Sequence, residues 1–322
     1  MGNVDNTPYD DVFRTMVNDI PRTALKLINE MFAFSLSERY SGDEKVEQLA
    51  NELFLEQQDG DQSKRITDTR IKVFGRETKQ FHIECQSTPD GSIVIRMFEY
   101  DSQIALQESD YSEEQLTVNF PNSGVLFLRQ RDNTPDKLNI TINTPGGSVK
   151  YDIPALKIGN YTVGDIIEKD LYFLIPFYLF NYEKIIQRES HPNTRGKDTE
   201  GMRKINEDYT KIRKFLDKSC EEGLISEYEK ATIKEMLTKV LNNLSKDADT
   251  VKKEVENIMG GKVLEYEAKS ILNKGRAEGR ADGRAEEHDS MKKYIRHNLQ
   301  EKHPDWDDEM LDREVEELIK VY

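Results

Sequence analysis

Two neighbouring runs, ITDTRIKVF (Ile66 to Phe74) and FHIECQ (Phe81 to Gln86), restrict the fold of this chain more than any other part of it. Both are short and rich in β-branched and aromatic residues, and the turn-forming stretch GRETK separates them, as in a hairpin. Successive side chains on a strand point to opposite faces. Phe81, Ile83 and Cys85 therefore make an apolar face, and His82, Glu84 and Gln86 a polar one. In the first run Thr67, Thr69, Ile71 and Val73 share one face, and Ile66, Asp68, Arg70 and Lys72 the other. The polar face of FHIECQ has two competing readings: a solvated outer surface, or the side of a strand that lines a working cleft.

A turn centred on Arg76 sets Asp68 opposite Glu84 in an antiparallel pair, with Cβ atoms about 5 Å apart. Two carboxylates that close repel, raise each other's pKa and destabilise the sheet. A divalent cation between them removes the conflict, and oxygen ligands with room for water suit Mg²⁺ or Mn²⁺. Acidic residues are common on strands, so the spacing by itself does not make a site.

The surrounding pattern reads as α/β. Phe13, Met16, Val17, Leu25, Ile28 and Phe32 recur at helical spacing near the start, with Pro21 opening a second helix. ELFLEQQDGDQSKRI reads as short strands with a turn around Gly60. Ser92 to Glu108 carries Ile93, Met97, Tyr100 and Ile104 on one helical stripe. GVLFLRQ reads as a central buried strand, and KLNITINTPGGSVKYDIP as a hairpin turning at TPGG. Helical patterns follow, interrupted at Arg188 to Gly201 by a polar stretch that reads as an exposed linker.

GRAEGRADGRAE (Gly275 to Glu286) is an internal repeat that places Arg276, Arg280 and Arg284 on one helical face. Glycine at every fourth position costs about 1 kcal/mol each relative to alanine, so such a helix is marginal alone. The final stretch has an amphipathic stripe of Leu311, Val315, Leu318 and Ile319.

Composition narrows the partners. A net charge of −15 gives no general attraction to polyanions, so a nucleic-acid site has to be a local basic patch. Asp61 to Gln80 is such a patch: Lys64, Arg65, Arg70, Lys72, Arg76 and Lys79 stand against Asp61, Asp68 and Glu77. Phosphate contacts there would be sequence-tolerant and salt-sensitive; an exposed hairpin with ordinary surface charges is the plain alternative. Two cysteines without paired spacing, Cys85 and Cys220, argue against a disulfide framework or zinc cluster and fit a reducing cytoplasm. No signal-peptide pattern is visible at the N-terminus. LYFLIPFYLF (Leu171 to Phe180) is about half the length a membrane span needs and reads as a buried helix.

RITDTRIKVFGRETKQFHIECQS, followed by IRMFEYDSQIAL and preceded by PYDDVFRTMVND, resembles the PD-(D/E)xK nuclease superfamily, and more closely its recombination-promoting nuclease and putative transposase branch. The resemblance spans roughly Thr7 to Phe180, and the Gly-Arg-Ala-Glu repeats look like that branch's variable tail. It implies that Asp68 and Glu84 are the motif's acidic residues and that the backbone carbonyl of Cys85 joins them on the metal. Gln86 stands where the motif usually has lysine; it can orient a water or phosphate oxygen but cannot act as a base at neutral pH.

Secondary candidates each have an ordinary alternative. Glu52 is a third carboxylate or a solvated strand residue. Asp11 matches an acidic position of the family's pattern or belongs to a helix start. Arg96 holds a phosphate or forms a salt bridge, and His82 lines the site or is a hydrogen-bonded structural histidine.

The expectation is thus an α/β, restriction-endonuclease-like core with a short mixed sheet flanked by helices over residues 1–185, a helical region over 186–272 and a tail over 273–322. The expected activity is Mg²⁺- or Mn²⁺-dependent DNA cleavage in the cytoplasm, away from membranes. Asp68, Glu84 and Gln86 would be catalytic, and Asp68, Glu84 and Cys85 would bind metal. Arg70, Lys72, Arg76 and Arg96 would hold DNA, and the tail would support a homo-oligomer. The rival is a DNA-binding or assembly protein that keeps the fold and cleaves little.

Overall fold

Period-two alternation in the middle of the chain becomes a six-stranded mixed sheet, and the periodic apolar residues around it become helices that cover both of its faces. The computed structural model describes residues 8–33, 35–36, 39–49, 52–56, 62–66, 69–88, 91–191, 198–245 and 248–260, with 296, 300 and 310 as isolated positions. For 52–56 and 62–66 the description is of the backbone alone.

Two helices, α1 (Pro8–Asp19) and α2 (Pro21–Met31), open the fold. Pro21 sits in the first turn of α2, where a missing N–H costs nothing. Strands β1 (Lys45–Gln48), β2 (Glu52–Glu56), β3 (Gln62–Ile66), β4 (Thr69–Phe74) and β5 (Thr78–Gln86) follow, then α3 (Ile93–Gln107). Next come β6 (Asp110–Tyr111), β7 (Leu116–Thr117), β8 (Asn122–Phe127), β9 (Lys137–Thr144) and β10 (Gly147–Lys157). The rest is helical: α4 (Val163–Glu168), α5 (Glu183–Ser190), α6 (Thr199–Glu221), α7 (Glu227–Leu244) and α8 (Asp249–Ile258).

The large sheet has the order β1-β4-β5-β8-β10-β9. β5 and β8 run parallel, as do β8 and β10, while the outer pairs are antiparallel. A parallel neighbour needs a crossover, and α3 is the one between β5 and β8. β4 and β5 form the expected hairpin: Thr69 faces Ile83 and Phe74 faces Thr78, a register centred on Arg76. β9 and β10 form the other, closing at Thr144 and Gly147, whose φ of 147° lies in the region that favours glycine. β2 and β3 pair with each other and stay outside the large sheet.

One face of the sheet presents Ile71, Val73, Phe81, Ile83, Cys85, Leu126 and Leu128 to a large core shared with α1, α2, α6, α7 and α8. Gly124 lies where α2 comes closest; a Cβ there would overlap the Met31 thioether. The other face packs Val125, Phe127, Leu138, Ile140, Ile153 and Ala155 against Ile93 and Met97 of α3. The expected α3 stripe of Ile93, Met97, Tyr100 and Ile104 is buried in full.

Three expectations differ from what is found. Leu171 to Phe180 is buried as expected but forms 3₁₀ segments at Tyr172–Leu174 and Pro176–Tyr182 rather than an α-helix, since Pro176 cannot donate the bond an uninterrupted helix needs. The stretch read as a linker is partly ordered helix: Arg188, Glu189 and Ser190 end α5, and Asp198 caps α6 by accepting a bond from the Gly201 N–H at 2.9 Å. Nor does packing break near residue 185, because Ile205, Tyr209, Met236 and Val251 share one core with Phe13 and Ile83. The chain does divide into compact units at 1–266 and 267–322. The Gly-Arg-Ala-Glu repeat and the terminal amphipathic stripe lie outside the described residues.

Candidate functional site

The polar face of β5 is neither a solvated surface nor an open cleft. Phe81, Ile83 and Cys85 point into the large core, so His82, Glu84 and Gln86 point to the opposite face. There they are only 0%, 4% and 8% exposed, and α3 reaches His82 directly through Asp101.

Burying those polar groups requires partners, and they are present. His82 Nδ1 lies 2.8 Å from Asp101 Oδ1, and His82 Nε2 lies 3.0 Å from Glu84 Oε1. The Ser123 hydroxyl on β8 donates to the same Asp101 oxygen at 2.6 Å. Both imidazole nitrogens thus face carboxylate oxygens, which accept when ionised, so the ring donates at both positions as imidazolium. Burial would push its pKa down, but the hydrogen bonds to Asp101 and Glu84 and their negative charge outweigh that and raise it to about 9. Tyr100 closes the side of the ring edge-on, with centroids 5.8 Å apart.

Asp101 Oδ2 and the Tyr151 hydroxyl are buried without a hydrogen-bond partner. Burial, and then the charge of Asp101, push the Tyr151 pKa up. Removing one member of such a buried set costs about 3–5 kcal/mol, because its partner keeps an uncompensated charge.

Gln86 ends β5; its backbone carbonyl accepts from the Leu128 N–H at 2.9 Å. Its side-chain amide makes a long bond of 3.4 Å to the Cys85 carbonyl. The Cys85 thiol belongs to the core, as expected for a plain structural cysteine. Beside this strand end, Arg129 forms a two-pronged pair with Glu183 at 2.7 and 2.6 Å and donates to the Ser87 carbonyl at 2.8 Å. Its guanidinium also stacks over Phe180 at 4.8 Å.

Asp68, the expected partner of Glu84, lies outside the described residues; β4 begins with Thr69 opposite Ile83. The side chain of Glu52 lies outside them too, although its backbone opens β2. Asp11 is exposed in the first turn of α1. Among the described residues no group of three or more His, Cys, Asp or Glu is arranged to hold a metal ion, so only the Glu84 half of the expected pair can be placed.

The basic patch needs correction at Arg70. It is 4% exposed and stands opposite His82 in the hairpin register. Its guanidinium donates to Gln107 Oε1 at 2.8 Å and lies 4.0 Å from Glu108, so it is a brace beneath the end of α3 and not a surface contact for DNA. Lys72 lies 3.6 Å from Glu108, and Lys79 3.8 Å from Glu77. Arg76 is exposed at the turn, while Arg96 is half-buried on α3.

Asp101, Ser123 and Arg129 are the polar residues that the sequence reading passed over. Asp101 had a signal: it follows Met97 by four and precedes Ile104 by three, an acidic residue inside an apolar stripe. A cavity of about 730 Å³ between α5, α6 and α8 is lined by Glu189, Arg203, Asn206 and Glu254 and takes no residue from β5 or α3. No protein-family model, no curated protein and no solved structure matches the chain, so a functional reading stands on the arrangement of Glu84, His82 and Asp101.

Proposed function

We propose that the protein is a Mg²⁺- or Mn²⁺-dependent DNA endonuclease of the PD-(D/E)xK kind, in keeping with its resemblance to the recombination-promoting nuclease branch. The observation that carries the reading is the position of Glu84 and Gln86. Both are buried near the C-terminal end of β5, beside its parallel neighbour β8. In open α/β sheets, ligands sit beyond the carboxyl ends of parallel strands. The hairpin register is also centred on Arg76, as the pairing of Asp68 with Glu84 requires.

The donor set suits the ion in kind. The carboxylates of Asp68 and Glu84 and the carbonyl of Cys85 are hard oxygen ligands, and Glu84 is held through Oε1 by a buried donor, as metal-binding carboxylates commonly are. A bound divalent ion would supply charge neutralisation at the phosphate and a more acidic water. Gln86 would orient a water or a phosphate oxygen through its amide and, uncharged, would not itself remove the proton. Arg76 and Lys72 would meet the DNA backbone, with Arg96 nearer the chemistry. The tail beyond residue 266 would bring a second copy, so that both strands of a duplex could be cut.

One observation favours the rival reading, a DNA-binding or assembly protein that cleaves little: Glu84 already has a buried imidazolium as its counter-charge. Incubating the full chain with supercoiled plasmid and Mg²⁺ or Mn²⁺ separates the two. Nicking that EDTA and Asp68→Ala both abolish supports the nuclease; binding without nicking supports the rival. No helix among the described residues is long and apolar enough to cross a membrane. Neither Cys85 nor Cys220 is in a disulfide, in keeping with a reducing cytoplasm.

A further inference from the structure

We infer that His82 and Asp101 are positioning residues for the proposed metal site, fixing the Glu84 carboxylate in the orientation that holds the ion. The inference rests on the nuclease reading. Free glutamate turns about several side-chain bonds, and a ligand that must find its pose on binding loses affinity in doing so. Glu84 does not have that freedom at Oε1. A continuous run of hydrogen bonds ties it to His82 on its own strand at 3.0 Å, to Asp101 on α3 at 2.8 Å and to Ser123 on β8 at 2.6 Å. The orientation of one carboxylate is therefore set by β5, by the crossover helix and by the parallel neighbour together.

A stability role alone is a poor account of this arrangement. Apolar residues of the same volume usually stabilise a protein interior as well as or better than a buried ion set. Here Asp101 Oδ2 is moreover buried without a hydrogen bond, which packing alone does not call for. A site for a divalent ion uses the fixed orientation of Glu84.

The test uses the full chain, with Mn²⁺ as probe. Free Mn²⁺ is followed by electron paramagnetic resonance, and plasmid nicking is measured in parallel. The variants are Asp101→Asn, close in shape to the wild type, His82→Asn, and Ser123→Ala, which loosens Asp101 without removing its charge. The expected result is a loss of Mn²⁺ affinity of about 10–100-fold for Asp101→Asn and His82→Asn. A smaller loss in the same direction is expected for Ser123→Ala. Nicking should fall in kcat with KM for DNA unchanged, and raised Mn²⁺ should restore part of it. Folded variants that lose thermal stability but bind Mn²⁺ and cut as the wild type does would overturn the inference. If His82→Asn and Asp101→Asn do not fold, unchanged Mn²⁺ affinity in Ser123→Ala overturns it. Wild-type protein that binds no Mn²⁺ and nicks no plasmid overturns the nuclease reading itself, a result distinct from either of these.

Discussion

Asp101 on α3 and His82 on β5 meet at 2.8 Å inside the protein, a side-chain contact that ties the crossover helix to the strand. It makes stability depend on pH in a defined direction. The folded-state pKa of His82 is raised from 6.5 to about 9. A raised value means that the contribution is complete below about 6.5 and is lost as pH climbs through about 9. Its upper size is about 3 kcal/mol. The thermal midpoint should therefore fall between those two pH values, and the fall should be much smaller in His82→Asn. A level midpoint across that window would show that the ring is not a buried imidazolium.

Arg129 and Glu183 hold the end of the β5–β8 pair against α5 by parallel bonds of 2.7 and 2.6 Å. The Arg129 and Glu183 side chains are 31% and 18% exposed, so solvent screens the pair only in part. Removing either partner should cost about 1–3 kcal/mol in urea denaturation. Arg129→Lys should recover little, because an ammonium keeps the charge but not the two-pronged geometry. A double-mutant cycle with Glu183→Gln measures the coupling directly; additive losses would mean that the pair contributes packing alone.

What could be read from the sequence is what depends on neighbours along the chain. The Arg76-centred hairpin, the TPGG turn and the α3 stripe follow from periods of two and about 3.6 residues and from turn chemistry. The depth of the polar face of β5 does not. Fully exposed and fully buried polar faces have the same alternation, and the difference lies in where α3 comes to rest. His82 and Asp101 are 19 residues apart in the chain, and Arg129 and Glu183 are 54 apart. Only the crossover and the helical layer bring such pairs together. The burial of Arg70 is hidden for the same reason: an arginine on a hairpin reads as surface charge until a helix end, here Gln107 and Glu108, covers it.

Assembly through the tail can be separated from folding of the body. The compact units divide at Tyr266 and Glu267, so a truncation ending at Tyr266 leaves the first unit whole. The repeat's glycines make an isolated helix marginal, and a partner chain is a natural means of ordering it. Light scattering should give a larger mass for the full chain, beyond its own 37.4 kDa, than the truncation leaves. Equal oligomeric states in both proteins would remove the tail from assembly.

The burial of Arg70 leaves the turn end of the hairpin as the place for the proposed DNA contact. Arg70→Glu would place an acid beside Glu108 beneath α3 and destabilise the fold, so it is uninformative about binding. Lys72 and Arg76 are better probes, since Arg76 is exposed at the turn and Lys72 is partly accessible, 3.6 Å from Glu108. A phosphate contact carries no sequence information, so Lys72→Glu with Arg76→Glu should weaken unrelated duplexes equally. Each lost contact should also lower the slope of log affinity against log salt by about 1. The neighbourhood of Glu108 makes the Lys72 share the smaller, because that lysine is already partly neutralised. The measurement is fluorescence anisotropy on two duplexes of different sequence over a salt series, with circular dichroism as the check on folding. Loss on one duplex alone would point to base readout, and unchanged affinity and slope on both would move the DNA surface away from this hairpin.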